Sequence, residues 1–401
     1  MLLNRPRAMA LMEKHGLDAL IATNPNHVTY ASNYGGHTPR IYEEKEAFAL
    51  LPRDTSQAAL LAHIGEASYL AEKREEVWVP EIWTYGTSKI AWPADLRPDA
   101  DEERLLAILK DKERNARSLP ELLARALDAK GLGGAVIGLD ESGLTAGLHA
   151  RLKAACPKAD FRPARAVWRE IELIKTEEEL ARLRRAAHVN EEAVAEVMSQ
   201  LRAGVSEAAL LQTYREAVAR RGGALEFWNS AGGRRAGDFF QSGAYRLRKG
   251  DTYRFDAGLV LDHYHADTGG VAVIGPPTAR QREIYATITA GMQAALEKVR
   301  PGATYEDVWR AGVETVARRG IKDYDVLRSD LGHGIGIEPR VPDLMRGNTL
   351  VLEPGMVINV EVPYYEVGYG GFQLEYSLLL TAPGHERLIP NSRDLWVKGG
   401  T

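Results

Sequence analysis

Short apolar runs bounded by turn residues alternate with stretches in which apolar positions recur every three or four residues. The first pattern reads as buried strand and the second as helix. Residues 1–20 mix Arg, Glu, Lys and Asp with apolar positions, which predicts an amphipathic helix stopping near His15-Gly16. Residues 17–22, 47–51, 58–62 and 133–138 read as strands, with turns at Asn24-Pro25-Asn26 and over 52–56. Leu119-Pro120 opens a helix, while 99–104 reads as a charged, solvated loop. Strands alternating with helices predict an α/β sandwich over residues 1–165.

Beyond Arg162-Pro163 the pattern changes. Thr176 ahead of Glu177-Glu178-Glu179 forms a capping box and opens a long helix. Ser206-Glu207 opens a second one, and two more follow over 279–299 and 305–319. Each helix pair precedes a hairpin, so residues 166–401 read as helix–helix–hairpin twice. In the first hairpin, a turn centred between Leu261 and Asp262 sets Asp256 directly opposite Asp267. In the second, the loop with Gly368, Gly370 and Gly371 makes Glu361 and Glu375 symmetric about Gly368. Between the hairpins stands Gly332-His333-Gly334-Ile335-Gly336.

Those carboxylates carry the chemistry. Two buried carboxylates side by side repel unless a cation sits between them or one takes a proton. Four carboxylates are neutralised by two divalent cations, and one imidazole adds a ligand. An oxygen-rich set with a single nitrogen suits Mn²⁺ first, with Zn²⁺, Co²⁺ or Fe²⁺ also open.

Composition narrows the rest. A chain of 401 residues is long for one core and predicts two or three domains. Its 45% hydrophobic and 26% charged residues fit a soluble protein, and a net charge of −4 leaves no nucleic-acid footprint. No run approaches the ~20 apolar residues of a membrane span. Cys156 is the single cysteine, so no internal disulfide forms and a reducing cytoplasm is the simplest home. There is no His-Glu-x-x-His, Gly-x-Ser-x-Gly or phosphate-binding loop.

The ordered set Asp256, Asp267, His333, Glu361 and Glu375, with Leu352-Glu353-Pro354-Gly355-Met356 before the fourth member, resembles the pita-bread metallopeptidase family. That family includes prolidase (Xaa-Pro dipeptidase), aminopeptidase P, methionine aminopeptidase and the metal-free creatinase. The resemblance implies a creatinase-like N-terminal α/β domain over 1–165 and a C-terminal pita-bread domain over 166–401. It implies two divalent metal ions: Asp256 and Asp267 on one, His333 with one glutamate on the other, and Asp267 and Glu375 bridging. Glu361 would also take the proton of the attacking water. A hydroxide shared by the two ions would cleave an amide C–N bond, by default in a Xaa-Pro dipeptide or a short peptide N-terminus. The family's first domain sends a loop to a neighbouring subunit, so the resemblance implies a homodimer in which Tyr34, His37 and Arg40 reach the partner's site.

The departures from that family are as informative. Three further peptidase histidines are replaced here by Phe239, Ser329 and Arg340, and an arginine before the last glutamate by Gln373. Phe239 would give an apolar wall, Ser329 one hydrogen bond, and Arg340 a bidentate partner for a substrate carboxylate. His265 shares a strand face with Asp267 and reads either as a replacement proton relay or as a histidine at the turn rim. Removing a donor to the reacting oxygen commonly costs about 2.7–4 kcal/mol. Two further readings therefore stand beside the peptidase: a small-molecule hydrolase or lyase on the same metals, and a catalytically silent binding protein.

Overall fold

The computed structural model describes residues 1–36, 41–42, 45–238, 241–390 and 394–399. The chain divides into two compact units, Met1–Glu172 and Leu173–Thr401. Among the described residues, no helix is long and apolar enough to cross a membrane.

In the first unit α1 (Arg5–Lys14) starts under Asn4, whose side chain accepts from the Arg7 N–H, and stops at His15 as its pattern predicts. After β1 (Ala19–Ala22), the Asn24-Pro25 pair opens α2 (Pro25–Ser32) rather than a turn. Asn24 accepts from the His27 N–H, and proline suits the first helical position because its missing N–H needs no partner there. Strands β2 (Phe48–Pro52) and β3 (Ala59–His63), helix α3 (Ala67–Glu72) and β4 (Glu81–Tyr85) follow. The expected loop at 99–104 is instead the start of α4 (Ala100–Lys110). Asp99 and Glu102 form a capping box there, a signal the charge run concealed. Then come β5 (Asn115–Ala116), α5 (Leu119–Ala129), β6 (Val136–Leu139), α6 (Ala146–Ala155), β7 (Asp160–Pro163) and α7 (Arg165–Glu172).

The seven strands form one sheet in the order β5-β4-β3-β2-β1-β6-β7. β2 runs antiparallel to both neighbours, and the remaining pairs are parallel. Ile21, Leu50, Leu61 and Ile137 share one core with Leu122, Leu123 and Leu127 of α5 and with Leu148 and Leu152 of α6. Each such side chain contributes roughly 1.5–3 kcal/mol by leaving water. His27 is buried among polar partners: Nδ1 lies 2.7 Å from Asp140 Oδ2, Nε2 lies 3.3 Å from Glu172 Oε1, and the ring stacks on Trp168.

The second unit repeats its plan, as the pattern predicts. α8 (Glu177–Gln200) and α9 (Glu207–Arg220) precede β8 (Ala224–Gly232), β9 (Thr252–Leu261) and β10 (Tyr264–Ile274). α10 (Ala279–Lys298), α11 (Tyr305–Arg318) and α12 (Tyr324–Leu327) precede β11 (Asp330–Gly334), β12 (Asp343–Met345) and β13 (Val357–Glu361). β14 (Tyr364–Glu366), β15 (Gly370–Phe372), β16 (Glu375–Thr381), β17 (Gly384–Arg387) and β18 (Trp396–Lys398) complete it. Val194, Val197, Leu210 and Tyr214 pack on Trp228, Phe255 and Leu259 of the sheet β18-β10-β9-β8. Ile288, Met292, Val308 and Val316 pack on Ile358, Val360 and Leu378 of the sheet β12-β11-β13-β16-β17.

One register differs from expectation. The β9–β10 turn is made by Asp262 and His263, both at positive φ (48° and 70°), so Leu261 faces Tyr264. Asp256 therefore opposes Gly269, and Asp267 opposes Gly258. The two aspartates share a face as diagonal rather than direct neighbours, still within reach of each other. The second hairpin has the expected register: Glu361 opposes Glu375.

Candidate metal centre

The two sheets of the second unit meet at the polar cluster. Ser377 Oγ on β16 donates to the Asp267 carbonyl on β10 (3.3 Å), and the His265 N–H donates to the Gly336 carbonyl (3.0 Å). Gly332 lets β11 approach β13: it stands at φ +123°, and a Cβ there would lie 2.0 Å from the Asn359 carbonyl oxygen. That approach carries the neighbouring His333 to Asp267, with Nε2 3.3 Å from Oδ2.

Asp267, His333 and Glu375 each offer one ligand atom, and these atoms all lie within 4.8 Å of one another. His333 Nδ1 is 3.1 Å from the Gly334 carbonyl oxygen, which fixes the proton on Nδ1 and turns Nε2 toward the carboxylate. Asp267 Oδ1 is buried without a hydrogen-bond partner among the described residues. An imidazole nitrogen aimed at a carboxylate, beside an orphaned carboxylate oxygen, is the donor set of a divalent cation. Asp267, His333 and Glu375 fit such an ion.

The field in the cluster says the same. Burial, together with the charges of Asp267 and Glu361, pushes the Asp256 carboxyl well above the usual carboxylate range. Burial also raises Glu361, against the opposing pull of Arg328 and His333. Burial pulls the His333 imidazole down, but the Asp267 carboxylate outweighs it and the net shift is upward.

Other side chains hold this set in place. Glu375 Oε1 accepts from Asn359 Nδ2 (3.1 Å) and Oε2 from Gln373 Nε2 (3.4 Å). Gln373 is fully buried and also accepts from the Tyr365 hydroxyl at 3.3 Å. Gly269 leaves room for this contact, since a Cβ there would stand 2.3 Å from Gln373 Nε2. On the other side, Arg328 Nη2 lies 3.7 Å from Glu361 Oε2 and Arg340 Nη1 lies 3.8 Å from Oε1.

The remaining candidates fall as follows. Arg340 is near the centre: Nη2 donates to Asp330 Oδ1 and Nε forms an ion pair with Asp343 Oδ1, each at 2.8 Å, while Nη1 stands 3.8 Å from Glu361 Oε1. Ser329 is exposed and its hydroxyl donates to Asp330 Oδ2 (3.0 Å). His265 shares the face of Asp267 and pairs through Nδ1 with Glu226 Oε2 at 2.7 Å. Tyr34 is 2% exposed and donates to Glu66 Oε2 at 2.9 Å. The phenol is thus engaged in the interior of the first unit, whereas the resemblance implies a reach to the partner's site. Phe239, His37 and Arg40 lie outside the described residues.

Several contributors were not anticipated. Arg328, Asn359, Tyr365 and Glu226 become visible only through strand pairing and packing. Phe227, whose ring lies against Gly258 opposite Asp267, supplies an aromatic surface on the site's face. Strand β8, which carries Glu226 and Phe227, was itself unforeseen.

The family comparisons bear on this arrangement. The profile of metallopeptidase family M24 matches residues 181–382, and that of the creatinase/prolidase N-terminal domain matches residues 5–174. The chain is 28% identical over 243 residues to Xaa-Pro dipeptidase of Pyrococcus furiosus, covering 59% of this chain and 68% of the relative. It is 29% identical over 265 residues to Xaa-Pro dipeptidase of Lactobacillus delbrueckii subsp. lactis, covering 65% and 72%. Among solved structures, the X-Pro aminopeptidase of Thermotoga maritima superposes with a TM-score of 0.78 at 20% identity, covering 97% of this chain and all of that one. The prolidase of Pyrococcus furiosus gives 0.73 at 21% identity, covering 96% and 100%. The fold is thus a creatinase-like α/β domain followed by a pita-bread domain. With its carboxylates and histidine gathered as a cation requires, the chain belongs to metallopeptidase family M24 and is a metal-dependent hydrolase.

Proposed function

We propose that this hydrolase cleaves an amide C–N bond in a Xaa-Pro dipeptide or the N-terminus of a short peptide. The observation that carries the reading is the convergence of Asp267, His333 and Glu375 ligand atoms within 4.8 Å. Asp256, Asp267, His333, Glu361 and Glu375 would hold two divalent cations, with Mn²⁺ the first choice for an oxygen-rich set. Such ions polarise an acyl oxygen and make water nucleophilic at neutral pH. In this reading Glu361, the carboxylate opposite Glu375 in the strand pair, is the proton acceptor that takes a proton from water and returns it to a leaving amine. Asn359 and Gln373 fix the Glu375 carboxylate, and Phe227 offers an apolar surface to the substrate. The names of the relatives support the Xaa-Pro substrate class. The protein works as a cytoplasmic homodimer in this reading, which light scattering tests for the oligomer.

One observation favours a second reading, a non-peptidase hydrolase or lyase acting on a small amide. The replacements for the peptidase histidines at 329 and 340 are engaged with Asp330 and Asp343. The deciding experiment is turnover of a panel of Xaa-Pro dipeptides and Xaa-Pro-Yaa tripeptides by Mn²⁺-loaded protein, with Asp256→Asn as control. Turnover that vanishes in the variant supports the peptidase. Absence of turnover in protein with bound metal rejects it in favour of the small-amide reading.

A further inference from the structure

Arg254 is a fully buried arginine in β9, set by the register between Ala231 on β8 and Val271 on β10. Burying a guanidinium is unfavourable unless its charge meets partners. Residues two apart on a strand share a face, so Arg254 lies on the face of Asp256. Burial, Asp267 and Glu361 raise the Asp256 carboxyl, and the Arg254 charge pulls the other way.

Two contacts place the guanidinium. Its central carbon stands 5.1 Å from the centre of the Tyr365 ring, and Nη2 donates to the Asp238 carbonyl at 3.5 Å. A cation over an aromatic face is attracted by the ring, more strongly away from water. The Tyr365 hydroxyl donates to Gln373 Oε1 at 3.3 Å, which leaves Gln373 Nε2 to donate to Glu375 Oε2 at 3.4 Å. A path of contacts therefore runs from Arg254 on β9, through Tyr365 on β14 and Gln373, to Glu375 at the start of β16. Its links reinforce one another. A cation on the ring makes the phenol a better donor, and the phenol on Oε1 holds the amide with its N–H toward the carboxylate. A reversed amide would turn its own oxygen on Glu375. Position 373 is an arginine in the peptidases this chain resembles and is neutral here; the guanidinium reaches the same network from β9.

We propose that Arg254 is a positioning residue for the metal centre: seated on Tyr365, it orders the Tyr365–Gln373 path that orients Glu375. The inference rests on the reading of Glu375 as a metal ligand. Positioning and mere proximity differ in sign. A cation beside a metal site repels the incoming ion, so removing one that does nothing else tightens metal binding. Removing a positioning residue lets the ligand turn away and weakens it.

The test measures Mn²⁺ binding by calorimetry in wild type, Arg254→Met, Tyr365→Phe and the double variant, with circular dichroism on each. Arg254→Met is expected to weaken binding by about tenfold, and Tyr365→Phe by a similar factor. Because both act on one path, the double variant should lose no more than about twofold beyond either single one. Arg254→Lys keeps a buried cation for the fold but not the planar stack on the ring, so its affinity should lie between wild type and Arg254→Met. Affinity within about twofold of wild type, or tighter, in Arg254→Met overturns the proposal, as does the same result in Arg254→Lys should the methionine variant not fold. Losses that multiply to about a hundredfold in the double variant also overturn it, because the two residues then act separately. Tight Mn²⁺ binding that is indifferent to Arg254 removes this residue and leaves the metal centre standing. Absence of Mn²⁺ binding in the wild type overturns the metal centre and the proposal with it.

Discussion

Replacing Asn359 by alanine removes a buried donor that orients Glu375, a proposed metal ligand. Asn359 is fully buried; its Nδ2 reaches Glu375 Oε1 at 3.1 Å, and its Oδ1 accepts from Ser377 Oγ at 2.7 Å. The Glu375 carboxylate is 1% exposed, so water cannot readily take over. A hydrogen bond to a charged group contributes about 1.5–3 kcal/mol. Partners of this kind behind a ligand typically govern about 10–100-fold in metal affinity, or about 1.4–2.7 kcal/mol. The two scales agree, so Asn359→Ala should weaken Mn²⁺ binding by one to two orders of magnitude, roughly. Calorimetric titration with Mn²⁺ reads this directly, with circular dichroism to show that the fold persists. Ser377→Ala is the comparison: it keeps the amide and loses one neutral hydrogen bond, so its effect should be smaller, about 0.5–1.5 kcal/mol. Affinity in Asn359→Ala within about twofold of wild type would refute the view that this amide holds Glu375 in place, because the expected loss starts at about tenfold.

Two further outcomes follow from the structure. Mn²⁺ at a hundredfold excess over its dissociation constant should raise the unfolding free energy by about 2.7 kcal/mol. Urea denaturation would show this gain in the wild type and its loss in Asp267→Asn; an equal gain in the variant would remove Asp267 from the ligand set. In the first unit, burial raises the Asp140 carboxyl, but the bonds to His27 and Ser142 outweigh it and hold it well below the usual carboxylate range. Its contribution is thus in place above the unfolded carboxylate value near 4 and is lost as pH falls further. Asp140→Asn should cost about 1.5–3 kcal/mol at pH 7, because it removes the charged acceptor of the buried His27 bond; a thermal melt unchanged from wild type at pH 7 would contradict this.

The sequence was legible where local chemistry and period agreed. The glycine loop around Gly368 defined its own centre, so the pairing of Glu361 with Glu375 could be read off directly. The first hairpin lacks such a marker. Asp262 and His263 adopt left-handed conformations without glycine, and the register moved so that each aspartate faces a glycine. Helix starts were misread where a cap looked like a turn or a charge run, at Asn24-Pro25 and at Asp99. Arg328 and Asn359 could not be found from sequence at all. Nothing in their spacing marks them, and their importance arises when β11, β13 and β16 bring distant segments together.

The bond from Ser377 to the Asp267 carbonyl ties the last strand pair to the first. On the ribosome, Asp256 and Asp267 emerge long before His333, Glu361 and Glu375 exist. A nascent chain that has made only the first helix–helix–hairpin still lacks three of the five groups proposed to bind the cation. Loading of a cation on the full proposed set must therefore wait for the second repeat to dock.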